Sequence, residues 1–343
     1  RNATEEKLVE IWQEVLGVEK VGITDNFFEL GGHSLMTAQV LNKIHQRLSL
    51  QISFKDFFAT PTIDGISKNL IQREFRSIPK APEQESYPLT PSQHRLWILS
   101  QMEGGSQAYN MPAVVTLKGE LNYDYFEKAF KIFIDRHEIT RTSFKTDSQS
   151  GETRQYITPK EDVNFKVELL DFTKESDADI EIYLQKANSE AFNLEQSPLL
   201  KASLLKRADD EFLFFLSMHH IIGDGWSIEV LISEIVNNYN SLLEGKAIIS
   251  GELSIQYKDY AVWLQEEIKG EKYQKAESYW FEKFEGELPL LNLPSYKTRP
   301  LIQTYNGNTI SQLFSKEFTG KLKAYSEQQG ATLFMTLIAG IKA

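Results

Sequence analysis

The chain has 343 residues, 41% hydrophobic and 25% charged, with 37 basic against 48 acidic side chains, a net charge of −11 and no cysteine. That is the size of about two ordinary globular domains, and it excludes disulfides, thiolate metal sites and cysteine nucleophiles. The acidic balance argues against nucleic acid as a partner, and the sequence has neither a run of ~18 apolar residues nor an apolar N-terminal signal core, so a cytoplasmic chain without a membrane span is expected.

The first 77 residues read as a small helical domain. Leu8, Ile11, Trp12, Val15 and Leu16 fall on one face of a helix, which Thr4 would cap and Gly17 would end. Residues 18–33 carry glycine breaks and read as a long loop. A second helix is predicted from Ser34 to about Arg47, with Leu35, Ala38, Leu41 and Ile44 inward. A short apolar piece follows at Phe54–Phe58. A last helix, opened by Thr60-Pro61 or Thr62, runs to Leu70.

Residues 78–86 (IPKAPEQES) have two prolines and no periodic face, and read as a semi-extended linker. From Tyr87 onward strands and helices mix. Strands are predicted at Ala113–Leu117, Tyr156–Ile157, Phe165–Leu170, Leu199–Leu205 and Phe212–His219. Helices are predicted at Tyr123–Arg136 (Phe126, Ala129, Phe130, Phe133 and Ile134 inward), Ile180–Phe192, Ser227–Leu243, Ile255–Lys269 and Tyr273–Phe284. Toward the end come a strand at Thr309–Phe314, a helix at Phe318–Gln329 and the start of another at Thr332–Ala343. Mixed elements without repeats indicate an α/β layer domain.

Two segments carry chemistry. In Asp25-Asn26-Phe27-Phe28-Glu29-Leu30-Gly31-Gly32-His33-Ser34-Leu35 the glycines deliver Ser34 to a helix start, where free N–H groups and the positive dipole end favour an attached phosphate. The residues alone favour an ordinary serine cap, which is what serine most often does at a helix start. A hydrolase elbow needs glycine at position 36, which is Met36.

The other segment is Met218-His219-His220-Ile221-Ile222-Gly223-Asp224-Gly225-Trp226-Ser227, at a strand end before a helix. Adjacent strand residues face opposite sides, so His219 and His220 do not converge on one ion, and no metal site is expected. The candidate catalytic set is His220, His219, Asp224 and Gly225. His220 is read as the group that takes a proton from an attacking amine or bonds the developing ammonium. His219 is read as a core histidine satisfied by hydrogen bonds. Asp224 could accept from a histidine or pair with an arginine. The Gly225 region offers backbone N–H groups to an oxyanion. His45, His94 and His137 have no partner set and read as surface or satisfied residues.

The serine segment closely resembles the peptidyl carrier domains of nonribosomal peptide synthetases, over nearly all of residues 4–72. The resemblance implies a four-helix, all-α carrier bundle with 4′-phosphopantetheine on Ser34, installed by a phosphopantetheinyl transferase. The histidine segment is similar to the His-His-x-x-x-Asp-Gly motif of the condensation-domain and chloramphenicol-acetyltransferase superfamily. Pro91–Trp97, Arg136–Phe144 and Tyr257–Trp263 resemble further family segments in family order. This resemblance implies His220 as the catalytic residue and Asp224 as a structural acid. Its salt-bridge partner would be Arg141, with Arg136 the alternative.

The implied architecture is a multidomain chain. Residues 1–77 are the carrier, 78–86 the linker, 87–295 one α/β chloramphenicol-acetyltransferase-like condensation lobe and 296–343 the start of a second, so the chain reads as part of a longer synthetase. The implied function is transfer of an aminoacyl or peptidyl thioester donor to the amine of an amino acid on a downstream acceptor carrier. Adenylation domains of the same synthetase would load the carriers, since no nucleotide motif occurs here. The rival reading is an epimerisation domain, against which stand Trp226-Ser227-Ile228 and His33, where carriers feeding such domains usually show Asp. A third is a non-catalytic docking module.

Overall fold

The computed structural model describes residues 2–72, 78–102, 104–248, 251–290, 298, 300, 304, 305, 307 and 310–342, apart from the side chains of residues 34, 35 and 72. By proximity the chain divides into two compact units, residues 1–77 with 307–343, and residues 78–306.

In the first unit, α1 (Ala3–Leu16) buries Leu8, Val9, Ile11, Trp12 and Val15 and ends at Gly17 in the left-handed conformation (φ 67°). Its cap is Asn2 rather than Thr4. The Asn2 side chain accepts from the Glu5 N–H and Glu5 reaches back to the Asn2 N–H, so two orphan donors are satisfied two residues earlier than expected. After the loop, α2 spans Ser34–Leu48. Its buried face is Thr37, Val40 and Ile44, not Ala38 and Leu41, which are only half-buried; Leu35 lies outside the described side chains. Thr37 is tolerated inside because its hydroxyl donates to the His33 carbonyl. Strand β1 (Leu50–Gln51), α3 (Phe54–Ala59), α4 (Ile63–Asn69) and β2 (Ile71–Gln72) complete the fold, with β1 antiparallel to β2. Thr62 caps α4.

The second unit opens with a linker segment free of helix. The Ala81 N–H donates to the Asp259 carboxylate and the Gln84 N–H to the Tyr87 hydroxyl. The elements that follow are β3 (Tyr87–Pro88), α5 (Pro91–Ser100), β4 (Asn110–Lys118), α6 (Tyr123–Arg136), β5 (Thr142–Thr146), β6 (Thr153–Ile157), β7 (Val167–Asp171), α7 (Asp177–Ser189), β8 (Leu200–Ala208), β9 (Glu211–His219), α8 (Gly225–Leu243), α9 (Tyr257–Glu267) and α10 (Glu271–Lys283). The main sheet has the order β4-β9-β8-β7, antiparallel except for the parallel pair β7–β8, which α7 connects. A smaller antiparallel sheet has the order β3-β6-β5.

Helices cover both faces of the main sheet. On one face Phe126, Ala129, Phe130, Phe133 and Ile134 of α6, with Leu231 and Ile235 of α8, meet Phe212, Phe214, Leu216 and Met218 of β9. On the other, Ile180 of α7 meets Leu205 and Phe215. The period of two along β9 separates these faces, which places His219 and Ser217 on the α7 side and Met218 on the α6/α8 side. Helix α7 stops at Ser189, short of the expected Phe192. The Asn110 amide takes up the carbonyls of Asn188 and Glu190, and the chain turns extended at Glu190 to bury Phe192.

Two helices, α11 (Lys316–Gln328) and α12 (Leu333–Lys342), occupy the C-terminal segment much as expected; Ala343 lies outside the described residues. The strand predicted at Thr309–Phe314 is not formed over residues 310–314, and Thr309 lies outside the described residues. Ile310 and Leu313 are 95% and 94% exposed, and with no neighbouring strand among the described residues these apolar side chains have no ladder to join.

Candidate functional site

The carrier serine is presented by a loop built on one aromatic plug. Phe27 is fully buried, with its ring centroid 4.9 Å from Trp12 and 5.2 Å from Phe57, and its N–H donates to the Pro61 carbonyl. The Gly32 N–H closes back on the Phe27 carbonyl at 2.9 Å. A Cβ at Gly32 would stand 2.3 Å from the Phe27 ring, and Gly31 has φ +98°, so both glycines are structural demands of the turn. The turn delivers Ser34 to the first position of the 15-residue α2. That helix start has no side-chain cap and no acidic residue in its first turn, which leaves its positive end available. This setting fits a phosphodiester on Ser34.

In the second unit the turn after β9 carries the paired histidines. His220 is exposed, and its backbone N–H donates to the Tyr109 carbonyl. Its Nδ1–H donates to the Gly223 carbonyl at 2.7 Å, which places the proton on Nδ1 and leaves Nε2 as an acceptor without a hydrogen bond among the described residues. His219 is fully buried beside Tyr109 and Phe192, and its Nδ1 accepts the Ile221 N–H at 3.1 Å. Burial, reinforced by the neighbouring His220 and opposed by a backbone interaction with Ser106, pushes His219 down to about 4. It is thus a neutral core group that shapes the turn, half satisfied rather than fully: its Nε2 makes no well-formed hydrogen bond.

Gly223 is glycine for space. A Cβ there would lie 2.7 Å from the Met218 terminal methyl and 2.9 Å from the Ser227 Cβ. At Gly225 a Cβ would meet nothing within 4 Å, so its backbone stands open at the first position of α8.

Asp224 is exposed and caps α8. Its Oδ1 accepts both the N–H and the hydroxyl of Ser227, while the Ser227 hydroxyl accepts the Asp224 N–H. The expected ion pair with Arg141 is not formed. Arg141 is 6% exposed, donates from Nη1 to the Thr158 carbonyl at 2.6 Å and lies 3.7 Å from Glu138; burial lowers its pKa. Arg136 does not take its place, because it binds Glu234 and the Gly251 carbonyl. Both arginines are spent on nearer partners, and Asp224 is spent on its own helix.

His137 also has a partner, Glu234, at 2.9 Å. His94 is exposed on α5, and His45 Nδ1 lies 3.4 Å from the Gln51 amide. Among the described residues no cluster of histidine and carboxylate side chains could hold a metal ion.

Residues from α5 and α9 buttress the turn. Gln93, 2% exposed, donates from Nε2 to the Ile221 carbonyl at 3.4 Å while its Oε1 accepts the Thr90 N–H. The Thr90 hydroxyl lies 3.3 Å from the Tyr257 hydroxyl. Tyr257 in turn lies close enough to Asp224 to feel its charge. Thr90-x-x-Gln93 is a capping box legible in the sequence, although nothing there says that its glutamine touches the histidine turn.

Residues 83–343 match the condensation domain family, and residues 6–70 match the phosphopantetheine attachment site family. Tyrocidine synthase 3 of Brevibacillus parabrevis is 40% identical over 99% of the chain, and bacitracin synthase 3 of Bacillus licheniformis is 39% identical over 99% of it. The chain spans 5% of the length of each of these relatives. In fold it is similar to the X-domain of teicoplanin biosynthesis (in complex with OxyB; TM-score 0.63, 23% identity, 76% of this chain, 56% of that one). It is likewise similar to the starter condensation domain of rhizomide synthetase RzmA (TM-score 0.53, 23% identity, 60% and 49%). The chain belongs to the condensation-domain family, and it carries its phosphopantetheine attachment domain ahead of the condensation domain, as a segment of nonribosomal peptide synthetase type.

Proposed function

We propose that this segment passes an aminoacyl or peptidyl group from its own carrier to the amine of an amino acid on a downstream carrier, forming a peptide bond. The observation that carries the reading is the ring of the exposed His220, whose Nδ1 is held by the Gly223 carbonyl and whose Nε2 has no hydrogen bond among the described residues. Phosphopantetheine on Ser34 would supply the thiol that holds the donor as a thioester. His220 Nε2 takes the proton of the attacking amine as the C–N bond forms and gives it to the leaving group as the acyl bond breaks. The Gly225 backbone, at the first position of α8 with open space on its Cα, would give its N–H to the charge that develops on the carbonyl oxygen. Asp224 acts by fixing the start of α8 beside that turn, not by touching the proton.

The carrier precedes the condensation domain, so it is assigned as donor, and its tether raises the local donor concentration. Adenylation domains of the same synthetase would load both carriers, and a phosphopantetheinyl transferase would modify Ser34.

The test uses the native synthetase with loaded carriers. Ser34→Ala abolishes the mass gain of one phosphopantetheine on treatment with coenzyme A and a transferase. His220→Ala keeps that gain and loses amide product by at least ~100-fold, the usual scale of proton-transfer catalysis. Full amide yield from His220→Ala, or product with an inverted α-carbon and no new amide, would overturn the proposal.

A further inference from the structure

The turn that carries His220 is held from several sides. On the strand side, the β4–β9 register sets Asn110 opposite His219, and the His220 N–H donates to the Tyr109 carbonyl at 2.9 Å. Within the turn, the Ile222 N–H donates to the His219 carbonyl at 3.1 Å and the His220 Nδ1–H to the Gly223 carbonyl at 2.7 Å. Ile221 and Ile222 are buried in the main core. A carbonyl on so buried a residue needs a donor. The Ile221 carbonyl finds one on another helix: the Gln93 amide of α5 donates from Nε2 at 3.4 Å, across 128 residues of sequence.

The direction of the Gln93 amide is fixed at its other end. Its Oε1 accepts the Thr90 N–H at 3.0 Å, which only the oxygen can do, so the nitrogen is the end that faces Ile221. The Gln93 backbone N–H donates to the Thr90 hydroxyl at 3.2 Å, and that hydroxyl lies 3.3 Å from the Tyr257 hydroxyl of α9. Thr90 and Gln93 are each 2% exposed, so solvent does not compete for these groups. The capping box of α5 asks only for an acceptor at this position, and glutamate serves it as well as glutamine does. The donor end of the amide is therefore surplus to the cap, and the Ile221 carbonyl is what it serves.

We propose that Gln93 is a positioning residue for amide formation: its N–H holds the Ile221 carbonyl and so fixes the chain path to Gly223, whose carbonyl aims the His220 ring. With that grip gone, the Ile221–Ile222 peptide plane is free to rotate, and the bond that orients His220 weakens. A weaker bond at Nδ1 also makes Nε2 a weaker base, because the Gly223 carbonyl favours the protonated ring over the neutral one. The role rests on His220 as the group that moves the proton, since Gln93 is buried and acts only through the turn.

The test follows single-turnover amide formation in the native synthetase with loaded carriers, across a pH series. The rate constant, unlike the yield, does not depend on the fraction of folded protein. Gln93→Glu keeps the acceptor for Thr90 and sets an oxygen against the Ile221 carbonyl. It should slow the turnover by about 10- to 100-fold, the scale of a misplaced reacting group. Gln93→Met, uncharged and of similar length, also lacks the donor; it should slow the turnover comparably, and it decides the matter if Gln93→Glu fails to fold. In both, the acid limb of the pH–rate profile should move to lower pH. A native rate constant, which a role in the cap alone predicts for Gln93→Glu, overturns the proposal. Slower turnover with an unmoved profile, the mark of general loosening, overturns it too. His220→Ala keeps the two failures apart. Amide formed at the native rate by His220→Ala refutes the reading of His220, whereas loss of amide there beside a native rate in Gln93→Met refutes only the role of Gln93.

Discussion

Removing the Asp224 side chain separates two accounts of this residue, as the cap of α8 or as the partner of a buried arginine. In the structure its Oδ1 takes the Ser227 N–H at 2.9 Å and the Ser227 hydroxyl at 2.8 Å, and Arg141 is bonded elsewhere. Loss of an N-cap costs about 1 kcal/mol, and loss of a negative charge at a helix start costs about 0.5 kcal/mol more. Asp224→Ala should therefore destabilise the condensation unit by about 1.5 kcal/mol. Asp224→Asn keeps an acceptor at the cap and should lose only about 0.5 kcal/mol. Urea unfolding of the chain, followed through the transition of the condensation unit, reads these as midpoint shifts of roughly 0.5 M and under ~0.3 M. A buried Asp–Arg pair predicts otherwise: Asn and Ala would be equally harmful, at about 3–5 kcal/mol, because either leaves an unpaired cation. The double-mutant cycle with Arg141→Ala closes the argument, with an expected coupling below about 0.5 kcal/mol. A coupling above ~1 kcal/mol, or equal losses for Asn and Ala, would refute the capping account.

Two other perturbations test the scaffold. Gly32→Ala drives a methyl into the Phe27 ring, so the carrier should lose about 1–3 kcal/mol, measured by thermal unfolding, and its Ser34 should be modified more slowly. His219 is held near 4 in the folded state against 6.5 unfolded, so the unfolded chain binds the extra proton between those values. The contribution, on the order of 3 kcal/mol, is fully present above about pH 6.5 and is lost as pH falls toward 4. Unfolding free energies from pH 7 to 5 should fall in step, and the slope should flatten in His219→Gln. A His219 ring that titrates near 6.5 in the folded chain contradicts this.

Local pattern carried much of the fold into view. Helix α6 and its five inward residues were readable because one apolar stripe at a 3.6-residue period had no competing signal. The buried face of α2 departs from its apolar pattern by part of a turn, since a threonine that feeds its own hydroxyl to a carbonyl one turn back looks polar in sequence yet faces the core. The motif residues Ser34 and His220 were visible as chemistry, but what positions them was less so. Asp224-x-x-Ser227 is a capping pattern readable in four letters, and Glu138 sits one turn before Arg141; both local partners outcompete a distant pairing. Gln93, Tyr257 and the Asn110–His219 apposition depend on strand register and on contacts across more than 100 residues, which no window on the sequence contains.

The grip of Asp259 on the Ala81 N–H joins residues 178 apart in sequence. Gln265 likewise bonds the Leu89 carbonyl from 176 residues away. During synthesis the carrier's hydrophobic core, Leu8 to Ile66, emerges within the first 72 residues, whereas the strand and linker that follow wait for α9 to be made. At roughly 5–20 residues per second that interval is about 10–35 s. For that time the start of the condensation domain lacks its closing contacts, beside a carrier that can already be folded and modified. A pause or truncation before residue 259 would leave a competent carrier attached to an unfinished catalyst.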